Sequence, residues 1–144
     1  TFDNIIAKYN LEKIKTIGDA YMAAGGVPVA QKDHAINVLN AAFEILEYTQ
    51  RIDNPLFKIR IGIHSGPVIA GVVGKKKYTY DIWGDTVNIA SRMESSGETE
   101  KINISSDTYK LVKDRFKCIY RGKIHAKHKG EFEMYFVERK ILSV

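Results

Sequence analysis

One short stretch of the chain carries an acid, an amide and a guanidinium within a dozen residues. Asp81 comes before a Gly-Asp-Thr turn, and Asn88 and Arg92 follow the turn in a segment with helical spacing. Residues four apart stack on one face of a helix, and the apolar residues of this segment fall on the other side. Such a pair is either a solvated face or the floor of a site. Periodicity favours the solvated face, since most helical Asn and Arg side chains are simply exposed.

A second charged residue could act together with this stretch. Lys15 and Asp81 both lie in segments with a strand pattern, and both could be plain solvated charges. Together, an ammonium and a carboxylate could also read the edge of a purine, because adenine offers an acceptor at N1 and a donor at N6. Guanine presents the reverse pattern and would leave both groups mispaired in a dry pocket.

A third acid, Asp19, follows Gly18 between two segments that resemble strands, which predicts a hairpin turn. Aspartate suits turns for its local hydrogen bonding, so turn chemistry alone could explain it. A carboxylate projecting beyond a sheet is also a good ligand for Mg²⁺. Both interpretations stay open on the residues alone.

Other candidate sites are weaker. The glycines do not spell a phosphate-binding loop, since neither G-x-x-x-x-G-K-[ST] nor G-x-G-x-x-G occurs. His125 and His128 are three apart, which in extended chain puts them on opposite faces and argues against a metal site. His64 and Ser65 have no acid at the spacing of a known triad, which argues against nucleophilic catalysis.

The composition is that of one ordinary globular domain spanning residues 1–144. Apolar residues make up 44% of the chain and charged residues 27%. The net charge of +5 suits an anionic ligand such as a nucleotide, or a nucleic acid. The single cysteine, Cys118, excludes an internal disulfide framework and fits a reducing compartment. No apolar run approaches the ~20 residues of a membrane helix. The predicted location is the cytoplasm, either alone or as the catalytic domain of a larger membrane or sensor protein, with no membrane contact by this domain.

The hydrophobic pattern mixes helices and strands. Helical periodicity predicts four helices and is clearest in the second of them. Their ranges are 1–9, 32–50, 86–95 and 106–113. Strand patterns are predicted over 12–17, 20–24, 57–64, 68–73, 79–83, 102–105, 116–126 and 132–138, with 68–73 buried on both faces. Tight turns join many neighbouring strands, which predicts an α+β fold with helices over one face of a largely antiparallel sheet.

Three segments of the chain resemble the class III nucleotidyl cyclase catalytic domain of the adenylyl, bacterial-like type. They are EKIKTIGDAYM over 12–22, IGIHSGPV over 61–68 and YDIWGDTVNIASRME over 80–94. The matches occur in the family order and cover nearly all of the chain. The resemblance implies a ferredoxin-like core with an antiparallel-rich sheet. It also implies a head-to-tail homodimer whose active sites lie in the shared cleft.

The resemblance assigns a role to each candidate residue. Asp19 matches one of the two aspartates that bind two metal ions, Mg²⁺ or Mn²⁺. Lys15 and Asp81 match the adenine-selecting pair, where guanylyl cyclases typically carry Glu and Cys. Asn88 matches the residue that orients the ribose, and Arg92 matches the arginine that stabilises charge at the reacting phosphate.

Two positions fit the family pattern less closely. Lys127 matches the lysine that holds the terminal phosphates, with Lys129 as the alternative. The family's first metal aspartate lies on an opening strand tens of residues before the hairpin, whereas Asp19 has eighteen residues before it and Asp3 does not match. The chain is therefore predicted to lack the first strand, the first helix and one metal ligand. The fragment alone is predicted to be inactive, although its parent protein is active.

The reaction implied by the resemblance converts ATP to 3′,5′-cyclic AMP and pyrophosphate in signal transduction. The ribose 3′-hydroxyl attacks the α-phosphorus with the help of two metal ions, so no side-chain nucleophile is required. One rival is a non-catalytic, regulatory cyclase homology domain. Another is an RNA-binding ferredoxin-like domain, but no strand carries the aromatic residues of an RNP motif, so no nucleic acid partner is predicted.

Overall fold

The computed structural model describes residues 1–52, 58–74, 79–126 and 130–139. The helices of this part are α1 (Phe2–Lys8), α2 (His34–Arg51), α3 (Asp85–Ser95) and α4 (Ser106–Val112). The strands are β1 (Glu12–Ile17), β2 (Ala20–Ala24), β3 (Ile61–Ile63), β4 (Ile69–Val73), β5 (Thr79–Trp83), β6 (Ile102–Ser105), β7 (Phe116–Ala126) and β8 (Gly130–Arg139). Across these ranges, no helix combines the length and the hydropathy needed to cross a membrane.

The largest sheet has four strands in the order β3-β6-β8-β7. β3 runs parallel to β6, while β6 and β7 both pair antiparallel with β8. β7 and β8 form the longest pairing, from Phe116 opposite Arg139 to Ala126 opposite Gly130, with one register shift between Tyr120 and Gly122. The prediction of an α+β fold with a mostly antiparallel sheet is confirmed.

Two hairpins form separate two-stranded sheets. β1 and β2 pair antiparallel around Gly18 and Asp19, as the turn residues predict. Gly18 has a φ of 57°, in the left-handed region where glycine is tolerated without strain. β4 and β5 pair antiparallel from Ile69 opposite Trp83 to Val73 opposite Thr79. These hairpins carry three of the candidate residues, at positions 15, 19 and 81.

Helix α2 is the centre of the hydrophobic core, because its apolar residues recur every three or four positions and cover two sides of the helix. One side packs with the main sheet and α4 in a cluster of Ala35, Leu39, Ala42, Phe43, Leu46, Ile63, Ile102, Ile104, Val112, Phe116 and Val137. The other side packs with α1 and the start of the first hairpin in a cluster of Ile5, Ile6, Leu11, Ala41 and Ile45. The core therefore fixes the first hairpin and the main sheet to the same helix.

Most element predictions are confirmed, and two need correction. The strand expected over 57–64 is shorter, Ile61–Ile63, and residue 57 of the expected range lies outside the described residues. The prediction that 68–73 is buried on both faces is wrong, since Ile69 is 70% exposed and Val72 is 64% exposed. In the described ranges β4 pairs with β5 alone, so this hairpin has apolar side chains that the chain itself does not cover.

Candidate active site

The two hairpins bring Lys15 and Asp81 together. The Lys15 ammonium on β1 lies 3.0 Å from Asp81 Oδ2 on β5. The other carboxylate oxygen, Oδ1, accepts the backbone N–H of Ile82 at 2.8 Å. These hydrogen bonds, the one from Lys15 first, lower the pKa of Asp81 below its usual value, so the group is a carboxylate at neutral pH. The Asp81 side chain is 15% exposed and that of Lys15 is 42% exposed.

This ion pair retains the capacity to bind a further polar group. An ammonium has three donors, and one of them is directed at Asp81. Each carboxylate oxygen has two lone pairs, and each oxygen here accepts one hydrogen bond from the chain. A base edge with one acceptor and one donor can therefore contact both side chains while their mutual hydrogen bond persists.

Helix α3 presents the amide and the guanidinium in the predicted direction. It begins after Gly84, whose φ of 121° allows the sharp entry into the helix. Met93 is fully buried, whereas Asn88 and Arg92 are exposed. The Arg92 Nη2 atom lies 3.5 Å from the carbonyl oxygen of His125 on β7, which is a long hydrogen bond. The polar face of the helix thus looks away from the core, toward the end of β7.

The backbone of α3 lies directly against β3. A Cβ atom placed on Gly62 would stand 2.0 Å from the backbone nitrogen of Glu94, so the close approach requires glycine at this position. The guanidinium of Arg60, just before β3, forms an ion pair with the Glu94 carboxylate. The C-terminal turn of the helix, which carries Arg92, is therefore held close to the main sheet.

A buried amide supports the same turn, and sequence reasoning missed it. Asn103 on β6 is fully buried and donates from Nδ2 to the carbonyl oxygen of Met93 at 2.9 Å. The available signal was a polar residue inside the otherwise apolar strand Ile-Asn-Ile. Its burial with a satisfied hydrogen bond marks it as a specific contact rather than an incidental one.

Asp19 lies at the tip of the first hairpin and is exposed. Its carboxylate oxygens suit Mg²⁺ or Mn²⁺ as donors, so the residue fits one ligand of a metal site. Among the residues described by the structure, no group of three or more His, Cys, Asp and Glu side chains could hold a metal ion. Asp19 can therefore offer one carboxylate to a metal ion, and the described residues do not complete a set of ligands.

The two lysines that were expected to hold the terminal phosphates, Lys127 and Lys129, lie outside the described residues. They sit between the end of β7 at Ala126 and the start of β8 at Gly130. Both stay predictions from the sequence.

His64 forms a polar cluster that differs from a nucleophilic triad. Its Nδ1 atom lies 2.6 Å from Ser105 Oγ and 4.0 Å from Asp107 Oδ2. A Ser-His-Asp triad needs the serine and the acid on different ring nitrogens, whereas one nitrogen meets both groups here. Ser105 is also fully buried, so its hydroxyl is not accessible to a substrate. Burial lowers the pKa of His64, and the nearby Asp107 carboxylate partly opposes this shift.

Comparison with known proteins identifies the family to which the chain belongs. Residues 1–139 match the family model for the adenylate and guanylate cyclase catalytic domain. The guanylate cyclase soluble subunit beta-2 of Rattus norvegicus is 43% identical over 141 residues, covering 94% of this chain and 21% of that protein. An adenylate cyclase of Mycobacterium tuberculosis is 38% identical over 144 residues, covering 97% of this chain and 32% of that protein. The chain thus spans between a fifth and a third of the length of these relatives.

Solved structures agree with the sequence comparison. The guanylate cyclase domain of RhGC from Catenaria anguillulae, in complex with GTP, matches with a TM-score of 0.89 and 36% identity over 97% of this chain and 79% of that chain. The catalytic core of a rhodopsin-guanylyl cyclase with converted specificity, in complex with ATPαS, matches with a TM-score of 0.88 and 38% identity over 96% and 77%. The adenylyl cyclase CyaB from P. aeruginosa matches with a TM-score of 0.87 and 30% identity over 97% and 78%. The chain belongs to the family of adenylate and guanylate cyclase catalytic domains, the class III nucleotidyl cyclases.

Proposed function

We propose that this domain is an adenylyl cyclase, which converts ATP to 3′,5′-cyclic AMP and pyrophosphate. The observation that carries the proposal is the contact of 3.0 Å between Lys15 and Asp81. Family membership supports the reaction class, the formation of a cyclic nucleotide. The choice of base is the finer step, and it depends on these two side chains.

Overall similarity does not decide between ATP and GTP. The relatives include guanylate and adenylate cyclases at comparable identity. One structural relative is the catalytic core of a rhodopsin-guanylyl cyclase with converted specificity in complex with ATPαS, which supports the idea that similar folds can accept either base. In this chain the base-reading positions combine an ammonium donor with a carboxylate acceptor, the pattern that complements N1 and N6 of adenine.

The proposed mechanism assigns the remaining steps to two exposed polar side chains of α3 and to one lysine, Lys127 or Lys129. Asn88 hydrogen-bonds the ribose and orients the 3′-hydroxyl toward the α-phosphorus. Arg92 stabilises the negative charge that builds up on the phosphate oxygens in the transition state. Lys127 or Lys129 holds the terminal phosphates of the leaving pyrophosphate. Positioning and electrostatic stabilisation provide the rate enhancement, so the absence of a nucleophilic triad in the described residues is no obstacle.

The proposal includes two divalent cations, Mg²⁺ or Mn²⁺. When bound, they would lower the pKa of the 3′-hydroxyl and neutralise the triphosphate, and Asp19 would provide one ligand to them. Replacing Asp19 by Asn keeps the size of the side chain and removes its charge. The concentration of Mg²⁺ required for half-maximal activity should then rise, whereas Asp33→Asn, an exposed acid just before α2, should leave it unchanged.

A second copy of the chain is proposed to complete the site. The β4–β5 hairpin exposes the apolar side chains of Ile69, Val72 and Trp83, and even the large Trp83 is 39% exposed. An apolar patch of this kind is typical of an interaction surface. A homodimer would cover it and close the cleft in front of Asn88 and Arg92.

Mixing two inactive variants tests whether the site is shared. At a Mg²⁺ concentration that supports the wild type but is too low for Asp19→Asn, we expect Asp19→Asn and Arg92→Ala each to show little activity alone, while their mixture forms heterodimers with one intact site. Random exchange of subunits should restore about a quarter of the wild-type activity. No recovery, with heterodimers demonstrated by differential tags, would show that both residues act from the same subunit.

The catalytic proposal is tested by product identification. The full-length protein is incubated with ATP or GTP and Mg²⁺ or Mn²⁺, and the nucleotides are separated by chromatography. Cyclic AMP is the expected product, and Arg92→Ala serves as the matched negative control. A protein that binds ATP but makes neither cyclic nucleotide would support the non-catalytic alternative, for which the incomplete metal-ligand set in the described residues is the motivation.

A further inference from the structure

The last turn of α3 is held through its carbonyl groups by side chains from two strands. Arg121 on β7 donates from Nη1 to the carbonyl oxygen of Ser96 at 2.9 Å and to Asn103 Oδ1 at 3.0 Å. Asn103 on β6 in turn donates from Nδ2 to the carbonyl oxygen of Met93 at 2.9 Å. These carbonyls belong to the end of a helix, where the usual intrahelical partners run out. We call these three contacts the α3 clamp.

The environment of the α3 clamp makes it stronger than a surface contact. Asn103 is fully buried, and the Arg121 side chain is 18% exposed. The Arg121 guanidinium lies 3.9 Å from the centre of the Phe136 ring, close enough for a cation–π contact. A positive charge at the C-terminal end of a helix is also favoured by the helix dipole. Charge-assisted hydrogen bonds with little exposure to water fix a backbone more firmly than exposed ones.

The clamped turn is the one that carries Arg92. Its neighbour Met93 provides one of the two clamped carbonyls, and Ser96, four residues after Arg92, provides the other. β7 also contributes the carbonyl of His125, 3.5 Å from Arg92 Nη2. The strand that holds the helix backbone thus also limits where the Arg92 guanidinium can lie.

We propose that Arg121 is a positioning residue for the cyclase reaction, acting through Asn103 and the end of α3 on Arg92. This inference rests on the proposed function, because Arg92 is its target. Arg121 does not contact the nucleotide in this account. It fixes the position and rotation of the helical turn from which Arg92 reaches the phosphate. A displacement of the Arg92 guanidinium by about 1 Å can lower the rate on the order of 10²-fold.

A double-mutant cycle in the full-length protein tests the coupling. Arg121→Met is expected to lower kcat by about 10- to 100-fold with little change in KM, because the contact to the phosphate matters most in the transition state. In an Arg92→Ala background, Arg121→Met should have little further effect. An equal loss in both backgrounds would show that Arg121 acts on something other than Arg92 and would overturn the proposal.

Lys101→Met is the matched control. The Lys101 ammonium lies 4.7 Å from the same Phe136 ring and pairs with Glu98, which Arg121 also approaches. Its contacts go to these two side chains rather than to the carbonyls of α3. The control thus removes a cation from the same surroundings, next to Phe136 and Glu98, and should retain the wild-type kcat. Arg121→Lys keeps the positive charge but lacks the planar set of N–H donors of a guanidinium. Its kcat should therefore lie between those of Arg121→Met and the wild type.

Hydrogen–deuterium exchange gives a readout that does not depend on catalysis. Amides in the last turn of α3 and at residues 96–97 should exchange faster in Arg121→Met than in the Lys101→Met control. Equal exchange would contradict the α3 clamp itself. If Arg121→Met does not fold, the same comparison uses Arg121→Lys, with the same expected order. If the wild type makes no cyclic nucleotide, the proposed function fails, while the exchange data still decide whether the α3 clamp exists.

Discussion

The two ends of the candidate site are held in different ways. At the base-reading end, the side chains themselves are fixed, since Lys15 and Asp81 contact each other at 3.0 Å and Asp81 also accepts a backbone N–H. At the phosphate end, the helix backbone is fixed by Asn103 and Arg121, while the side chains of Asn88 and Arg92 are exposed.

The difference indicates what each end requires from outside the chain. In the proposed function, one subunit is enough to select the base, because its donor Lys15 and its acceptor Asp81 already lie next to each other. Charge stabilisation needs a ligand and a closed cleft, because an exposed guanidinium is screened by water. The open apolar face of the β4–β5 hairpin is where we propose that a second copy provides that closure.

The largest effect is expected from changing the base-reading end. Lys15→Glu combined with Asp81→Cys introduces the residues that guanylyl cyclases typically carry and should move the preference toward GTP. Leaving two buried polar groups unpaired against the wrong base corresponds to roughly two to four orders of magnitude in kcat/KM. Steady-state kinetics with both nucleotides measures the shift.

Lys13→Glu is the control for this charge reversal. Lys13 lies on the same strand but forms its ion pair with Asp3, far in sequence from Asp81. It should leave the ratio of ATP to GTP turnover unchanged. An unaltered ratio in the double variant as well would show that Lys15 and Asp81 do not select the base.

A somewhat smaller effect is expected at the phosphate end. Arg92→Ala should lower kcat by about 10²–10³, comparable to the loss of one oxyanion-hole donor. KM should change little, because the contact is strongest in the transition state. Ser91→Ala, an exposed position next to it on α3, is the control. A rise in KM with an unchanged kcat would mean that Arg92 binds the ground state instead.

The packing of α3 against β3 can be tested by measuring the free energy of unfolding. Gly62→Ala should lower the free energy of unfolding by about 1–3 kcal/mol, because the new methyl group would overlap the backbone of Glu94. Gly71→Ala is the control on the open hairpin, where the nearest atom to a new Cβ is 3.6 Å away on Trp83. Urea denaturation monitored by circular dichroism compares the two. Equal stability of both variants would contradict the close packing of helix and strand.

The smallest effect is expected on the pH dependence of the free energy of unfolding. Burial lowers the pKa of His64 in the folded protein, so the unfolded chain binds a proton more readily. Its contribution to stability is therefore full above the unfolded pKa of about 6.5 and is lost as the pH falls toward the folded pKa, by at most about 1.4 kcal/mol per pH unit.

Chemical denaturation between pH 7.5 and 5 measures this slope. His64→Gln should flatten it, whereas His125→Gln, at an exposed position on β7, should not. A slope that is identical in wild type and His64→Gln would assign the pH dependence to other groups.

Much of the site could be predicted because it depends on local patterns. The turn before α3, the shared face of Asn88 and Arg92 and the hairpin tip at Asp19 all follow from short-range spacing, and the structure shows the same arrangement. The sequence suggested that Lys15 and Asp81 could together contact a purine edge, and the family resemblance assigned them that role. Their direct contact at 3.0 Å is seen only in the structure, because the two residues lie on different hairpins.

The parts that could not be predicted depend on which elements face each other. The apolar run over 68–73 looked like a buried strand, but hydropathy does not show whether anything covers it, and Ile69 is exposed. Arg121 is one of several cations in the segment predicted as the strand 116–126, and its contact with the end of α3 is seen only in the structure. Long-range packing determines both outcomes.

The central claim is that the base-reading end selects adenine, and a competition assay tests it most directly. The full-length wild-type protein is given equal concentrations of ATP and GTP in one reaction, so that the ratio of cyclic AMP to cyclic GTP equals the ratio of the two kcat/KM values. We predict cyclic AMP in excess by roughly two orders of magnitude or more. Equal amounts of the two products, or an excess of cyclic GTP, would contradict the account.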